Sequence, residues 1–223
     1  MEEELNYREE LAKARVTASK LTMNGHEDEI EAYWEVVCGT VLVAEENLHN
    51  QDCEWENASL AREMLEYARQ LEGFDHMQDN LYQALSRMAD AVYEHPRLKA
   101  ELIEFELKTV KRLENLQGGK TELIEELTDE LDTLKNNIQL ADEGRLNDIP
   151  QTGHLKHDPV EWTSRWEEVI DEADRKAYAR LADMPRGMGF CHGFWHERAE
   201  VLRKDYHLEW RSPGVMNPRV MFD

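Results

Sequence analysis

Residues 122–141, ELIEELTDELDTLKNNIQLA, decide the fold class of this chain. Their large apolar residues recur at alternating spacings of three and four, and these residues are Ile124, Leu127, Leu131, Leu134 and Ile138. Such spacing places apolar side chains along one side of a helix, as in the seam of a coiled coil. The stretch therefore predicts a long amphipathic helix.

The residues before this stretch predict a second long helix. Pro96 suits the first turn of a helix, because its fixed φ and missing N–H are tolerated there. Apolar residues then continue to Leu116, and Gly118-Gly119 predicts the end of the helix and a short turn. Two helices joined by so short a turn are typical of an antiparallel helical hairpin. We therefore expect residues 97–141 to form a projecting helical hairpin.

The chain upstream of Pro96 contains no other proline and predicts four further helices. Apolar residues at helical spacing indicate helices over 2–22, 27–50, 55–72 and 76–94, with breaks at Asn24-Gly25, Gly73 and His95-Pro96. One apolar stripe of the second helix consists of Ile30, Tyr33, Trp34, Val37, Val41 and Ala44. We expect this stripe to face the core.

Downstream of the hairpin, residues 142–158 contain two glycines and a proline but few large apolar side chains, which predicts a linker. Asp158-Pro159 is typical of a helix start, and the buried face of that helix would consist of Trp162, Trp166, Ile170, Ala173, Ala177 and Leu181. A last helix is predicted over 190–206, followed by an irregular aromatic tail.

Together these elements predict an all-α protein, a multi-helix bundle of about seven helices built around one core. Residues 1–141 would form an acidic helical bundle that includes the hairpin. Residues 142–158 would link it to a C-terminal helical segment, 159–223, packed on the same body.

The chain carries 48 acidic and 26 basic residues, a formal net charge of −22. Charge of this sign repels nucleic acid and anionic membranes, so we expect no direct binding of either. No run of about 18 apolar residues and no secretion signal is found, which favours a cytoplasmic location. Residues 175–223 hold 6 acids and 9 bases, which leaves 42 acids and 17 bases in residues 1–174. The acidity therefore belongs to the first part of the chain.

The second leg of the predicted hairpin carries a dense group of acids, namely Glu122, Glu125, Glu126, Asp129, Glu130 and Asp132. Charged runs of this kind usually form a solvated helix face. They can also steer a basic partner, or imitate the phosphates of a nucleic acid. On that second interpretation Glu122, Glu125, Glu126, Asp129 and Glu130 are partner-binding residues.

Carboxylates three or four residues apart on a helix can also bind Mg²⁺ as oxygen ligands. This acid-rich helix resembles that of all-helical nucleotide pyrophosphohydrolases, in which paired acidic motifs on neighbouring helices hold the metal. No matching second motif stands out on another helix of this chain. The resemblance implies a Mg²⁺-dependent hydrolase only as an alternative.

Two other patterns offer ligands or phosphate contacts. Zinc accepts histidine and cysteine, and the candidate ligands are His154, His157, Cys191 and His196, although their spacing matches no recognised zinc pattern. Gly118-Gly119-Lys120-Thr121 resembles the end of a phosphate-binding loop, but such a loop needs a glycine where this chain has Glu114. We therefore expect a helix-ending turn there and no bound cofactor.

The C-terminal segment from Met184 onward is rich in aromatic residues, methionine and arginine. One interpretation is that the tail wraps back over the helices, with its aromatic rings completing a core and its arginines pairing with acids. The other is a partner-binding surface, because these residue types are enriched in interface cores. Trp195, Trp210 and Arg211 are the candidate partner-binding residues of this segment.

No nucleophile elbow, dinucleotide-binding glycine motif or catalytic cysteine motif is present, which favours an interaction protein over an enzyme. The leading hypothesis is an acidic protein that binds a basic, nucleic-acid-binding enzyme as a nucleic-acid mimic. In its acidity, though in no shared motif, the chain resembles anti-restriction and anti-CRISPR proteins of phages and mobile elements. A structural or assembly subunit is a further alternative, in which the heptad seam forms a homo-oligomer.

Overall fold

The computed structural model of the chain describes residues 6–21 and 26–222. All regular secondary structure within these ranges is helical, so the predicted all-α fold is confirmed. The predicted break at Asn24-Gly25 and the ends of the first predicted helix, residues 2–5 and 22, lie outside them. None of the helices in these ranges is long and apolar enough to cross a bilayer. The chain divides into two compact units, the first ending at Thr133 and the second beginning at Leu134.

The first unit contains five complete helices and the start of a sixth. Their bounds are α1 Tyr7–Ala18, α2 Ile30–Asn50, α3 Asn57–Leu71, α4 Gln78–Ala91, α5 Pro96–Gln117 and α6 Leu123–Asp142. Short 3₁₀ turns lead directly into α2, α3 and α4, as is common at helix starts. The predicted break at Gly73 lies two residues after the end of α3, and Pro96 of the second predicted break is the first residue of α5. α4 stops at Ala91 rather than at the predicted residue 94, since the backbone of Val92, with φ −115° and ψ 35°, leaves the helical region.

The core of the first unit forms around α2, which packs against α1, α3 and α4, while α4 packs against α5. The predicted apolar stripe of α2 is buried except for Trp34, which is half-buried. Gly39 lets α1 approach closely, since a Cβ atom there would lie 3.0 Å from Leu11 Cδ1 and 3.3 Å from Leu11 Cα. The absence of a side chain at Gly39 therefore allows the two helices to pack this closely.

A buried amide at the start of α3 connects three helices. Asn57 Nδ2 donates to the backbone oxygen of Ala44 on α2 and to that of Ala91, the last residue of α4. Asn57 Oδ1 accepts from Asn47 Nδ2 on α2 at 2.8 Å, and Arg8 Nη2 on α1 donates to Asn47 Oδ1 at 2.7 Å. The network thus satisfies a helix-end carbonyl that has no partner within its own helix.

α6 has the amphipathic character that its spacing predicts. Leu127, Leu131 and Leu134 are all buried. Lys99 Nζ of α5 forms an ion pair with Glu130 Oε1 at 2.8 Å. That the hairpin projects from the bundle remains a prediction, because neither the buried leucines nor this ion pair tests it.

The helices of the second unit, apart from the end of α6, are α7 Ser164–Arg180, α8 Phe190–Tyr206 and α9 Pro213–Met216. Asp158 and Pro159 begin a 3₁₀ turn, Pro159–Trp162, rather than α7 itself. Thr163 is the N-cap of α7, and its side chain accepts from the backbone N–H of Trp166. The predicted irregular tail contains the one-turn helix α9.

The core of the second unit joins α7, α8 and the tail. Its buried members are Trp166, Val169, Ile170, Ala173, Val201, Leu202 and Trp210. The rings of Trp166 and Trp210 lie 5.8 Å apart between centroids. Asp174 of α7 and Arg198 of α8 form a buried ion pair beside these rings.

Candidate functional site

The acids of α6 lie on the side of the helix opposite its buried leucines. Five of them are exposed within or just before its first two turns: Glu122, Glu125, Glu126, Asp129 and Glu130. Successive residues turn by about 100° around a helix, so these positions fall within roughly 140° of arc, centred away from Leu127 and Leu131. The structure thus brings the predicted residues together on one exposed face, which we call the acidic face.

Some of the carboxylates of the acidic face stabilise the first turn of α6 itself. The backbone oxygen of Glu122 accepts from the N–H groups of Glu125 and Glu126 at 3.0 and 3.1 Å. Carboxylates in the first turn of a helix also stabilise it through their interaction with the helix dipole. Glu125 and Glu126 therefore have a structural role that needs no partner.

The density of charge on α6 resembles that of a nucleic-acid strand. Including Asp132, six carboxylates lie between Glu122 and Asp132, and these ten steps span about 15 Å at 1.5 Å per residue. The mean spacing is therefore about 3 Å along the axis, against about 3.4 Å per phosphate along one strand of duplex DNA.

Glu130 differs from the other acids of the face because Lys99 Nζ lies 2.8 Å from its Oε1. Its carboxylate still retains 45% side-chain exposure. This ion pair offsets part of the charge at one edge of the face. The stronger candidates for contact with a basic protein are therefore Glu125, Glu126 and Asp129.

Close to Glu130, α5 carries a buried acid that sequence reasoning missed. Glu106 accepts a hydrogen bond from Ser86, and burial is the main reason that its pKa is raised to about 7. The negative charges of Glu130 and Asp90 raise this pKa further, whereas Lys99 lowers it. A sequence signal existed, because Glu106 occupies the helical position between buried Leu102 and Val110.

The Gly118-Gly119-Lys120-Thr121 segment is a helix-ending turn. Gly118 adopts a φ of +70°, which favours glycine, and its N–H donates to the backbone oxygen of Glu114. Glu114 Oε1 accepts from the Thr121 backbone N–H at 2.6 Å and from Thr121 Oγ1 at 2.7 Å. These bonds lower the pKa of Glu114. A carboxylate therefore takes the hydrogen bonds that a phosphate would need.

Two of the candidate partner-binding residues of the tail, Trp210 and Arg211, form hydrogen bonds within the second unit. Trp210 is only 8% exposed, and its Nε1 donates to Glu161 Oε1 at 2.7 Å. Arg211 donates to the Asp158 carboxylate from its backbone N at 2.8 Å and from Nε at 2.9 Å. Because the Asp158 carboxylate accepts these hydrogen bonds, it raises the pKa of Arg211 above its usual value. Little of Trp210 is left for a partner to contact.

Trp195 is half-buried on α8 beside the end of the tail. Its ring meets that of Phe222 edge to face at 5.1 Å and that of His192 at 5.4 Å. Asn217 further fixes the tail, since its Oδ1 accepts from the Lys156 backbone N–H at 2.8 Å. The assignment of Trp195, Trp210 and Arg211 to a partner surface stays a prediction.

The candidate zinc ligands do not assemble. His154 is exposed, and His157 Nδ1 lies 3.2 Å from Glu161 Oε2. Cys191 and His196 lie on the first two turns of α8. Within residues 6–21 and 26–222, no three His, Cys, Asp or Glu side chains are arranged to hold a metal ion.

No protein-family model, curated protein or solved structure matches this chain.

Proposed function

We propose that this chain is a non-enzymatic interaction protein whose acidic face binds a basic, nucleic-acid-binding protein. The supporting observation is the exposed row of carboxylates on α6, whose spacing along the axis is close to that of phosphates along a strand. A protein that occupies the phosphate-binding groove of an enzyme would inhibit that enzyme. Restriction and CRISPR nucleases are the target class, because both hold nucleic acid in strongly basic grooves.

The magnitude of the charge supports a role beyond solubility. A net charge of about 2–8 in magnitude is enough to keep a small domain soluble, and further charge adds self-repulsion. This chain carries −22. The same charge increases the rate of encounter with a basic protein, because opposite charges attract before contact.

The test is inhibition of DNA cleavage by purified nucleases, one restriction enzyme and one Cas9-type enzyme, with increasing amounts of the chain. We expect E125K/E126K/D129K to abolish inhibition. The matched control is E31K/E35K/E66K, which changes the net charge equally at exposed acids of α2 and α3. Inhibition by wild type should also fall steeply between about 50 and 200 mM salt, as phosphate-like contacts do.

Two results would count against the proposal. Equal loss of inhibition in both triple variants would show that bulk charge acts rather than the acidic face. Hydrolysis of nucleotides by the wild-type chain in the presence of Mg²⁺, lost in E125K/E126K/D129K, would instead establish the hydrolase alternative.

A further inference from the structure

Glu106 of α5 lies almost out of reach of water. It is 2% exposed, and it accepts a hydrogen bond from Ser86 of α4. Seven of the nine side chains over residues 102–110 are buried, so α5 is covered on nearly every side there. α4 packs along α5, and the ion pair of Lys99 with Glu130 places α6 beside it as well. Glu106 therefore lies at a junction of helices.

The charges that act on Glu106 are mostly negative. Burial is the main reason that its pKa is raised to about 7, and the carboxylates of Glu130 on α6 and Asp90 on α4 raise it further. Lys99, on α5 itself, lowers this pKa, but its ammonium group already pairs with Glu130. An ionised Glu106 is thus a buried charge near two like charges, with only a share of one lysine.

α3 also packs on α5, but on the side away from Glu106. Arg69 of α3 pairs with Glu101, and Glu72, just after α3, pairs with Lys108. Successive residues turn by about 100° around a helix, so Glu101 and Lys108 lie roughly 140–160° around α5 from Glu106. The helices that cover Glu106 are therefore α4 and α6.

Of these two helices, α6 is held less firmly over the part that faces α5. α4 buries half of its 14 residues, and Asn57 binds the backbone oxygen of Ala91 at its end. By contrast, the N-terminal segment of α6, residues 123–133, buries only the side chains of Leu127 and Leu131. Segments with few buried apolar contacts open at a lower cost in free energy than the rest of a protein.

We propose that a proton on Glu106 holds the N-terminal segment of α6 against α5, and that loss of this proton makes the segment open more readily. Opening gives the ionised carboxylate access to water and moves it away from Glu130. Closure keeps the charge buried, whereas a protonated carboxyl group carries no charge and does not oppose closure. The junction of α4, α5 and α6 is thus a pH-sensitive device near neutral pH.

The segment that opens carries most of the acidic face, including Glu125, Glu126, Asp129 and Glu130. A change of pH therefore alters how firmly these carboxylates are held in their row. The opening is a property of the chain alone. Its use in regulating partner binding rests on the proposed function.

The experiment is hydrogen–deuterium exchange of the full chain, followed by mass spectrometry at pH 5, 6, 7 and 8. Exchange rates are first corrected for the intrinsic pH dependence of amide exchange. We expect the amides of residues 123–133 to lose protection by roughly 50–100-fold from pH 5 to pH 8. This fold-change follows from a carboxyl pKa of about 7 when closed and 4.5 when exposed.

Two variants and one internal reference identify the cause. In E106Q, which has no proton to lose, protection of residues 123–133 should be the same from pH 5 to pH 8. D132N removes an exposed carboxylate of α6 and should keep the wild-type loss of protection. The amides of α2, in the core of the first unit, should stay better protected than those of residues 123–133 at every pH, because the opening is local.

Three outcomes would overturn the proposal. The first is protection of residues 123–133 that does not change between pH 5 and pH 8, and the second is a wild-type loss of protection in E106Q. The third is equal protection of α6 and α2 at every pH, which would show that only global unfolding exposes Glu106. A chain that behaves as expected here but inhibits no nuclease would refute the proposed function alone.

Discussion

Asp174 and Arg198 form a two-point ion pair inside the second unit. Arg198 Nε donates to Asp174 Oδ1 at 2.6 Å, and Nη2 donates to Oδ2. Both side chains are less than a tenth exposed. The guanidinium also lies 4.6 Å from the centre of the Phe194 ring and 5.4 Å from that of Trp210. The two buried charges therefore balance each other beside aromatic rings.

We expect D174A to lower the free energy of unfolding by about 3–5 kcal/mol, because it leaves the Arg198 charge buried without its partner. The paired replacement D174L/R198M should cost less than D174A alone. Urea unfolding followed by tryptophan fluorescence measures both. E172A is the control, since it breaks an exposed pair with Arg175 and should cost no more than about 1 kcal/mol. A paired replacement as costly as D174A would refute the argument.

Glu106 should make stability depend on pH. Burial is the main cause that raises its folded-state pKa from 4.5 to about 7. Below pH 4.5 the carboxyl group is protonated in both the folded and unfolded chain, so its contribution to stability is fully present. As pH rises through about 7, the folded chain must bear a buried charge, and that contribution is lost.

E106Q should therefore be more stable than wild type above pH 8, by an amount of the order of 3 kcal/mol, and equal to it below pH 4.5. Melting temperatures measured across this range test the expectation. E126Q, which removes an exposed carboxylate of α6, is measured beside it as the control. A constant difference between E106Q and wild type at all pH values would exclude the effect.

A side chain at Gly39 should strain the contact of α1 with α2. The Cβ atom of G39A would lie 3.0 Å from Leu11 Cδ1 and 3.3 Å from Leu11 Cα, so Leu11 must move by a few tenths of an ångström, and we expect a cost of about 1–3 kcal/mol. L11A in the same chain should relieve only part of this cost, because Leu11 Cα also lies within 3.3 Å. Thermal unfolding of G39A, L11A and the double variant gives the coupling. Simple additivity of the two costs would show that the contact is not tight.

Trp210 distinguishes the two interpretations of the tail. Its burial predicts that W210A lowers the free energy of unfolding by about 3–5 kcal/mol, as for other buried aromatic residues. W210F keeps a ring but loses the hydrogen bond to Glu161, and should cost about 1 kcal/mol from that bond, plus a smaller packing loss. Unchanged unfolding in W210A, with loss of a partner, would favour the interface interpretation.

Periodicity predicted the helices well because each buries one apolar face. The seam of α6 and the stripe of α2 follow directly from spacing, and glycine and proline marked the breaks at Gly73 and Pro96. The entry to α7 was less predictable. Asp158-Pro159 satisfies the rules for a helix start, but its carboxylate also accepts from Arg211, more than 50 residues away.

The features that spacing could not predict depend on contacts between distant residues. Nothing local indicates that Asp174 pairs with Arg198, because charged residues of a helix usually face solvent. The acidic face was predictable as a group of residues on one helix. The ion pair between Lys99 and Glu130 could not be predicted from spacing, because it depends on the packing of α5 near α6.

The amide of Asn57 limits how the helices of the first unit can slide past one another. Apolar burial is non-directional, so it discriminates only weakly against a displacement of one helical turn. Such a displacement would separate Asn57 from Ala44, Ala91 and Asn47 at once, and leave several buried polar atoms without partners. One polar side chain thus selects a single alignment among those that the apolar core alone would permit.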